Sequence, residues 1–314
     1  SMGVTTADVD SCFMGCNGEV YLTNRVFAPM EYSSVSFPAL IHQDVMSVIY
    51  WAIDELEFTP YLNSMDSYYS LMLPTNNALL CHLDPCSVGD AQMSLLMFYY
   101  DNLERKVKAS RYYYTLGENG EIVMGNRAQE NVADAIVKNR LRDIVNQMII
   151  VGSVENDYSY FKSKNGTTVK IENAGKSNQM IVKGGWQLEN NAIAKVDSIY
   201  DMSTTGNGKS YRFNEQFPMA ATRSVYQILN EKEEYSEFLK LLSGSENLPA
   251  DDHLLLSTIT LNNVKYNCVN SATNSNIRLF GAYNYTVYVP TNESIRKLIN
   301  DGVLPTWEDY DAQY

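Results

Sequence analysis

The sequence predicts an α+β fold, a twisted β-sandwich with helices packed at one end, repeated in tandem along the chain. Three observations carry that expectation. Segments of strand period and helix period alternate irregularly, without the βαβ rhythm of a doubly wound sheet. The phrase YTVYVPTNESI at 285–295 has an earlier copy, YSLMLPTNNAL, at 69–79. Further echoes recur at domain-scale spacing, well beyond the ~20–50 residues of a solenoid repeat.

Each copy of the phrase reads as a strand that stops at a proline. Tyr69, Leu71 and Leu73 fall on one side of an extended chain, as do Tyr285, Val287 and Val289, with Thr286 and Tyr288 on the other. Pro74 and Pro290 cannot donate to a ladder and so end each strand. Thr75 or Asn76 then suits the cap of a helix carrying Leu79 and Leu80, and Thr291 or Asn292 the cap of a helix with Ile295, Leu298 and Ile299 on one stripe. Pro74-Thr75-Asn76 and Pro290-Thr291-Asn292 are therefore expected to be structural corners, not ligand sites.

Two other pairs of segments set the boundaries. GEVYLTNRVFAPM (18–30) matches GKSYRFNEQFPMA (208–220), and SVIYWAIDELEFTPYLNSM (47–65) matches SVYQILNEKEEYSEFLKLL (224–242), each of the latter reading as a helix followed by a shorter helical turn. Residues 18 and 208, 47 and 224, 74 and 290 stand 190, 177 and 216 positions apart, the size of a domain. The order predicts a closing-strand remnant at 1–38, a complete unit at 39–219 with an insert around 87–140, and the opening part of a further unit at 220–314. Residues 18–27 are expected to pair as a strand, most simply at the edge of the central unit or of the C-terminal half. The pairing could be within the chain or from a neighbouring molecule, as a strand-exchange homo-oligomer, and the rival reading is a flexible leader, because termini fray by default.

Inside the insert, YYYTLGENGEIVMGN reads as a hairpin turning at Glu118-Asn119-Gly120, where Asn-Gly supplies positive φ. AQENVADAIVKNRLRDIVNQMII (128–150) reads as an amphipathic helix with Val132, Ile136, Leu141, Ile144 and Val145 on one face. Variable inserts on rigid scaffolds are where recognition tends to reside.

These residues resemble tandem fasciclin domains, in the style of the tandem-fasciclin surface lipoproteins of Bacteroidetes. The apolar strand with its Pro-Thr-Asn box is matched by LMLPTNNAL and VYVPTNESI. The family's middle, a Leu-x-x-x-Val helix end and a strand pair about a Gly-Thr turn, is matched by LRDIVNQMIIVG (141–152) and YFKSKNGTTVKI (160–171). Its closing strand is matched by GNGKSYRFNEQF and NGEVYLTNRVF, with Tyr211 and Tyr21 where the family has histidine. The resemblance implies a non-enzymatic adhesion or protein-interaction module at the cell surface or outer membrane, on the extracellular or periplasmic side, with no catalytic residue and no cofactor.

Composition narrows the partners. Asp and Glu outnumber Lys and Arg 37 to 24 for a formal charge of −13, which argues against nucleic acid. No run of ~18 apolar residues is present, so membrane attachment is expected only through an anchor outside these residues; the opening Ser1-Met2-Gly3 reads as a cloning scar. The 23 tyrosines include runs at Tyr68-Tyr69, Tyr99-Tyr100 and Tyr112-Tyr113-Tyr114, the last a candidate interaction surface. Such tyrosines serve equally as half-buried strand positions. A protein or glycan ligand is expected, the glycan reading being that of an accessory to an outer-membrane uptake system. The two differ in shape: a glycan binder groups exposed aromatics in a groove with amides or carboxylates, whereas an adhesion module presents a broad, flatter patch.

Other motifs carry less. GNGKS (206–210) has Ser203 where a phosphate loop needs its first glycine. Five cysteines, Cys12, Cys16, Cys81, Cys86 and Cys268, are an odd count, read as free thiols, although Cys81 and Cys86 could close a small loop in an oxidising compartment. His42, His82 and His253 accompany no nucleophile signature, and Asp54-Glu55 and Asp251-Asp252 read as solvated charges without calcium-loop spacing.

Overall fold

A computed structural model describes residues 5–24, 30–84, 87, 92–117, 121–221, 225–243, 258–261, 264–267 and 286–313. Its centre is a seven-stranded sheet. In spatial order the strands are β8 (Ile149–Val151), β3 (Tyr69–Pro74), β13 (Gly208–Phe213), β12 (Ala194–Asp201), β11 (Ile181–Lys183), β10 (Thr168–Glu172) and β9 (Tyr160–Lys162). All neighbours run antiparallel except β3 and β13, which are parallel with Leu71 opposite Ser210 and Leu73 opposite Arg212. The fold is α+β.

The Tyr69–Pro74 strand forms as the sequence predicts, but both of its faces are buried rather than one. Its neighbours explain this: a strand flanked on both sides and covered above and below needs an apolar or hydrogen-bonded side chain at every position. Ser70 meets that need by donating to the carbonyl of Gly152 (2.8 Å) and accepting from the Val154 amide (3.2 Å).

A second sheet is all antiparallel, in the order β4 (His82–Leu83), β5 (Ser94–Asp101), β6 (Lys106–Leu116) and β7 (Ile122–Gln129). Residues 118–120, where the β6–β7 turn is predicted, lie outside the described residues, and Leu116 opposite Ile122 flanks them. Besides the short helices α1 (Phe37–Ile41), α3 (Thr59–Leu62) and α5 (Gly185–Glu189), two longer ones, α2 (Gln43–Glu55) and α4 (Asp134–Met148), touch strands of both sheets. Leu71 and Phe213 of the first sheet, Phe98 of the second and Ile144 of α4 belong to a single buried cluster in which each side chain contributes roughly 1.5–3 kcal/mol. The predicted helix at 128–150 begins six residues late, because Arg127 and Gln129 are still paired to β6. Its face is otherwise as read: Val132, Leu141, Ile144 and Val145 are buried and Ile136 packs at the margin.

At the N-terminus β1 (Val9–Gly15) and β2 (Gly18–Thr23) form a two-stranded antiparallel sheet of their own. The 18–27 segment is thus a strand over its first six residues, but its partner is the preceding β1, not the edge of either unit; residues 25–27 lie outside the described residues. The reason is entropic, since a two-residue loop at Cys16-Asn17 closes this pairing far more cheaply than any long-range one. This hairpin reproduces β12–β13 in detail. Val9-Asp10-Ser11 corresponds to Val196-Asp197-Ser198, and both pairs slip register at the aspartate. Cys12 faces Tyr21 and Phe13 faces Val20, as Ile199 faces Tyr211 and Tyr200 faces Ser210.

Asn207, buried just before β13, ties the chain after the hairpin to the sheet. Its amide donates to the carbonyls of Leu62 (2.6 Å) and Ser64 (2.9 Å) and its oxygen accepts from Val35 (2.9 Å).

The C-terminal part holds α6 (Val225–Glu231), α7 (Ser236–Ser243), the hairpin β14 (Thr258–Leu261) and β15 (Val264–Asn267), α8 (Asn292–Asn300) and α9 (Trp307–Gln313). The strand predicted at 285–289 does not form over its described residues: 286–290 carry neither helix, turn nor ladder, and Tyr285 lies outside them. The period of two survives even so. Val287 and Val289 pack on Leu229 of α6 while Thr286 and Tyr288 face outward. β3 is held between β8 and β13; no described strand lies beside 286–290 to hold it in the same way. Among the described residues no helix is long and apolar enough to cross a membrane.

Candidate recognition cleft

The Pro-Thr-Asn boxes are the place to begin, because one of them lines a broad cleft. After Pro74 the chain turns into Thr75, whose amide donates to the Phe213 carbonyl (2.8 Å) and whose hydroxyl donates to Asn214 Oδ1 (3.1 Å) and accepts from the Ala78 amide (3.4 Å). The helix predicted after this box is absent; residues 76–79 are turns. Asn76 caps a different helix. The chain of α2 breaks at Met46 (φ −129°, ψ 24°) and restarts at Ser47. The Val48 amide, orphaned by that restart, donates to Asn76 Oδ1 (3.0 Å), while Asn76 Nδ2 donates to Ser47 Oγ (3.0 Å).

The second box does the same. Glu237 at the start of α7 donates its amide to Asn292 Oδ1 (3.0 Å), and Asn292 Nδ2 donates to Ser236 Oγ (3.0 Å) and the Glu233 carbonyl (2.7 Å). Thr291 meanwhile caps α8 locally, accepting from the Ser294 amide (3.3 Å), and Pro290 is exposed. By these bonds Ser47 corresponds to Ser236, twelve positions from the Ser224 suggested by the letters. Thr75→Ala removes a buried hydroxyl with two partners and is expected to lower stability by about 0.5–2 kcal/mol in urea unfolding. Unchanged stability would contradict a structural role.

The restart at Ser47 sets the phase of α2. Val48, Ile49, Ala52 and Ile53 turn into the core, which leaves Ser47, Tyr50, Trp51 and Asp54 as an outward stripe at helical spacing. Across from it stand Tyr99 and Tyr100 at the end of β5, with Asn102 and Arg105 in the β5–β6 turn. That turn is held by Asp101, whose carboxylate accepts from the amides of Leu103 (2.9 Å) and Glu104 (3.1 Å) and pairs with Lys108 (2.7 Å), so its pKa falls to about 2. Asn76, Asn77 and Leu80 close the bottom, giving a cleft of about 960 Å³.

Its charge is mostly negative. Asp44, Asp54 and Glu55 line it together with one cation, Arg105, and Glu55 pairs with Lys138 (2.6 Å), whose ammonium stands 6.0 Å from the centre of the Trp51 ring.

The Tyr112–Tyr114 run on β6 contributes nothing to this cleft. Tyr114 is buried against Leu95, Trp186 and Met219, and loss of solvation pushes its phenol up to about 12. Tyr112 is half-buried on the same cluster, and Tyr113 alone of the three is exposed. Sequence reasoning singled out Tyr99-Tyr100 only as a run and passed over Tyr50 and Trp51; the available signal was the polar-aromatic stripe at 47, 50, 51 and 54.

Near the second sheet a buried charge cluster joins three elements. Asp84, after β4, has a fully buried side chain whose two carboxylate oxygens meet Arg140 Nε of α4 (2.8 Å) and Arg111 Nη1 of β6 (2.9 Å). His82 stacks near Phe98 (5.8 Å between centroids), and loss of solvation pushes its pKa down to about 4 against the pull of Asp84. Cys12, Cys16 and Cys81 are free thiols, and Cys86, Cys268 and His253 lie outside the described residues.

No protein-family model matches the chain, and no curated protein matches it. Among solved structures it is similar to a FAS1 domain pair from the insect cell adhesion molecule Fasciclin I, at 13% identity and a TM-score of 0.31, over 83% of this chain and 64% of that one.

Proposed function

We propose that the chain is a non-enzymatic recognition module of the cell surface, built from repeated fasciclin-like units, whose central unit holds a carbohydrate in the cleft between α2 and β5. The lining of the cleft carries this reading. Tyr50, Trp51, Tyr99 and Tyr100 line it with aromatic side chains, and Asn77, Asn102, Asp44 and Asp54 offer the hydrogen-bonding groups that a polyhydroxylated ring needs on its edges. Aromatic and polar side chains lining one cleft support the glycan reading over that of a flat adhesion patch. With Glu55 paired to Lys138, Asp44 and Asp54 share the lining with Arg105, which favours a neutral or amino sugar over a sulfated or carboxylated one.

The repeat is supported by the duplicated hairpin register and by the two asparagine clips. On that reading residues 1–38 close a preceding unit, 39–219 form a complete one, in which the second sheet is the insert around 87–140, and 220–314 open another. Titration calorimetry of the intact chain, guided by a glycan array, tests the cleft. Trp51→Ala and Tyr99→Ala are each expected to weaken binding of the best neutral glycan by about tenfold or more. Binding that survives both substitutions, or an array on which only acidic glycans score, would overturn it.

A further inference from the structure

We infer that the sugar held in the cleft carries an N-acyl group, as 2-acetamido sugars do, and that Arg105, which lines both the cleft and a small cavity adjoining it, selects that sugar by binding the acyl arm there. The inference rests on the carbohydrate reading and narrows it to one substituent.

The adjoining cavity measures about 140 Å³ and shares Trp51, Glu55 and Arg105 with the lining of the cleft. Lys106 and Val107 of β6 and Asp134, Val137 and Lys138 of α4 complete it. At roughly 30 Å³ for each water, this is room for a handful of water molecules. A pyranose with its hydroxyls is too large for it, whereas an acetamido arm is not.

The lining makes three demands at once. Trp51, Val107 and Val137 present apolar surface, Glu55 and Asp134 present acceptors, and the cations present donors. Two of the cations are already matched: Lys106 pairs with Glu104 (3.1 Å) and Asp134 (3.2 Å), and Lys138 pairs with Glu55 (2.6 Å). Arg105 pairs with no described carboxylate. An acyl amide answers each demand. Its methyl meets the apolar lining, its carbonyl oxygen accepts from the Arg105 guanidinium, and its N–H donates to a carboxylate. Other substituents answer only part. A hydroxyl brings nothing apolar, and a free amine sets a second cation beside Arg105. A carboxylate or sulfate could accept from Arg105, but it has no donor for Glu55 and Asp134 and would stand against their charge.

The backbone of Arg105 supports the same assignment. Asp101 pairs with Lys106 across the hairpin, so residues 102–105 form the turn, and Arg105 ends it in the left-handed region at φ +53°. Glycine or asparagine adopts that conformation readily, whereas an arginine is strained in it. The Asp101 carboxylate, bonded to the amides of Leu103 and Glu104, holds the turn in this shape. Strain of this kind persists where the side chain has a use that outweighs its local cost.

Calorimetry and ligand-observed NMR on the intact chain test the inference with N-acetylglucosamine, N-acetylgalactosamine and N-acetylmannosamine, each set against its parent hexose, its free amine and the corresponding uronic acid. At least one N-acetyl sugar is expected to bind about tenfold tighter than all of its relatives. Arg105→Gly should erase most of that preference without lowering the melting temperature, because glycine suits the backbone at this position. Val137→Ala, which deepens the cavity, should shift preference from the N-acetyl sugar toward its N-propanoyl form, a change that a purely structural valine would not produce. A hexose or uronic acid that binds as tightly as its N-acetyl relative, a preference that survives Arg105→Gly, or a folded Val137→Ala chain with unaltered acyl preference would overturn the inference and leave the carbohydrate reading standing. A chain that binds no sugar in titration or on the array overturns both.

Discussion

Asp84→Ala is expected to cost about 3–5 kcal/mol of unfolding free energy, among the largest losses available to a single side-chain truncation in this molecule. The carboxylate is fully buried and neutralises Arg140, itself 5% exposed, while its other oxygen meets Arg111. Removing it takes from the Arg140 guanidinium, out of water, the carboxylate it pairs with, and α4 loses its charged tether to the second sheet. The companion variant Asp84→Leu with Arg140→Met deletes both charges and should recover most of the loss, because a buried pair contributes little net stability beyond what apolar packing supplies. Urea unfolding of the three proteins checks this. A single variant within about 1 kcal/mol of the native chain would mean that water or a third partner already serves Arg140.

Gly208→Ala is expected to abolish the folded central sheet. Its φ of +146° is one that other residues rarely adopt, and the added methyl would sit 1.9 Å from the Tyr69 carbonyl, a contact between backbones that no rotamer change relieves. β3 and β13 would have to part, and with them the parallel pairing that carries Leu71 and Phe213 into the core. Circular dichroism of the variant should show lost tertiary signal and no cooperative melt. Gly18→Ala in the matching hairpin position, where the methyl meets nothing, should leave the melt of the isolated chain within about 0.5 kcal/mol of native. A folded Gly208→Ala protein would require the strand pair to be far more pliant than its hydrogen bonds suggest.

Much of the architecture was legible in the sequence because it is written in local signals. The alternation in Tyr69–Leu73, the stop at Pro74, the Thr291 cap and the apolar face of α4 each follow from residues within a turn or two of one another. What escaped depends on neighbours distant in sequence. Period two marked one face of β3 for burial, but the other face is buried as well, by layers whose presence no local pattern announces. The missing ladder at 286–290 makes the same point in reverse, since β-branched alternation specifies a side-chain pattern, and a strand also needs a partner. The N-terminal hairpin was half seen: Gly18–Thr23 matched Gly208–Phe213 by letter, whereas the Val-Asp-Ser echo of β1 went unread, and with it the partner. The cleft was the least legible feature. Its aromatics come from a helix stripe and a strand end 48 residues apart, from Trp51 to Tyr99, and meet only because α2 restarts where it does. Conversely, the three consecutive tyrosines on β6 looked like a surface, yet alternation along a strand sends Tyr114 into the core.

The long reach of Asn76 bears on how this molecule folds. The restart of α2 has its amide satisfied by a side chain 28 residues downstream, at the far end of β3. Until that strand has arrived, Val48 has only water to bond, and the helix beyond the break at Met46 must nucleate without its cap, a step that is unfavourable for so few turns. Strand docking and helix growth are thereby fused into one event, and its rate carries the loop-closure cost of bringing residues 48 and 76 together. Neither wall of the cleft can fluctuate far alone, because unravelling the helix start strips the turn that follows Pro74, and lifting that turn uncaps the helix. The cleft thus has no separate stability to lose; it opens and closes as part of the same cooperative unit as the central sheet.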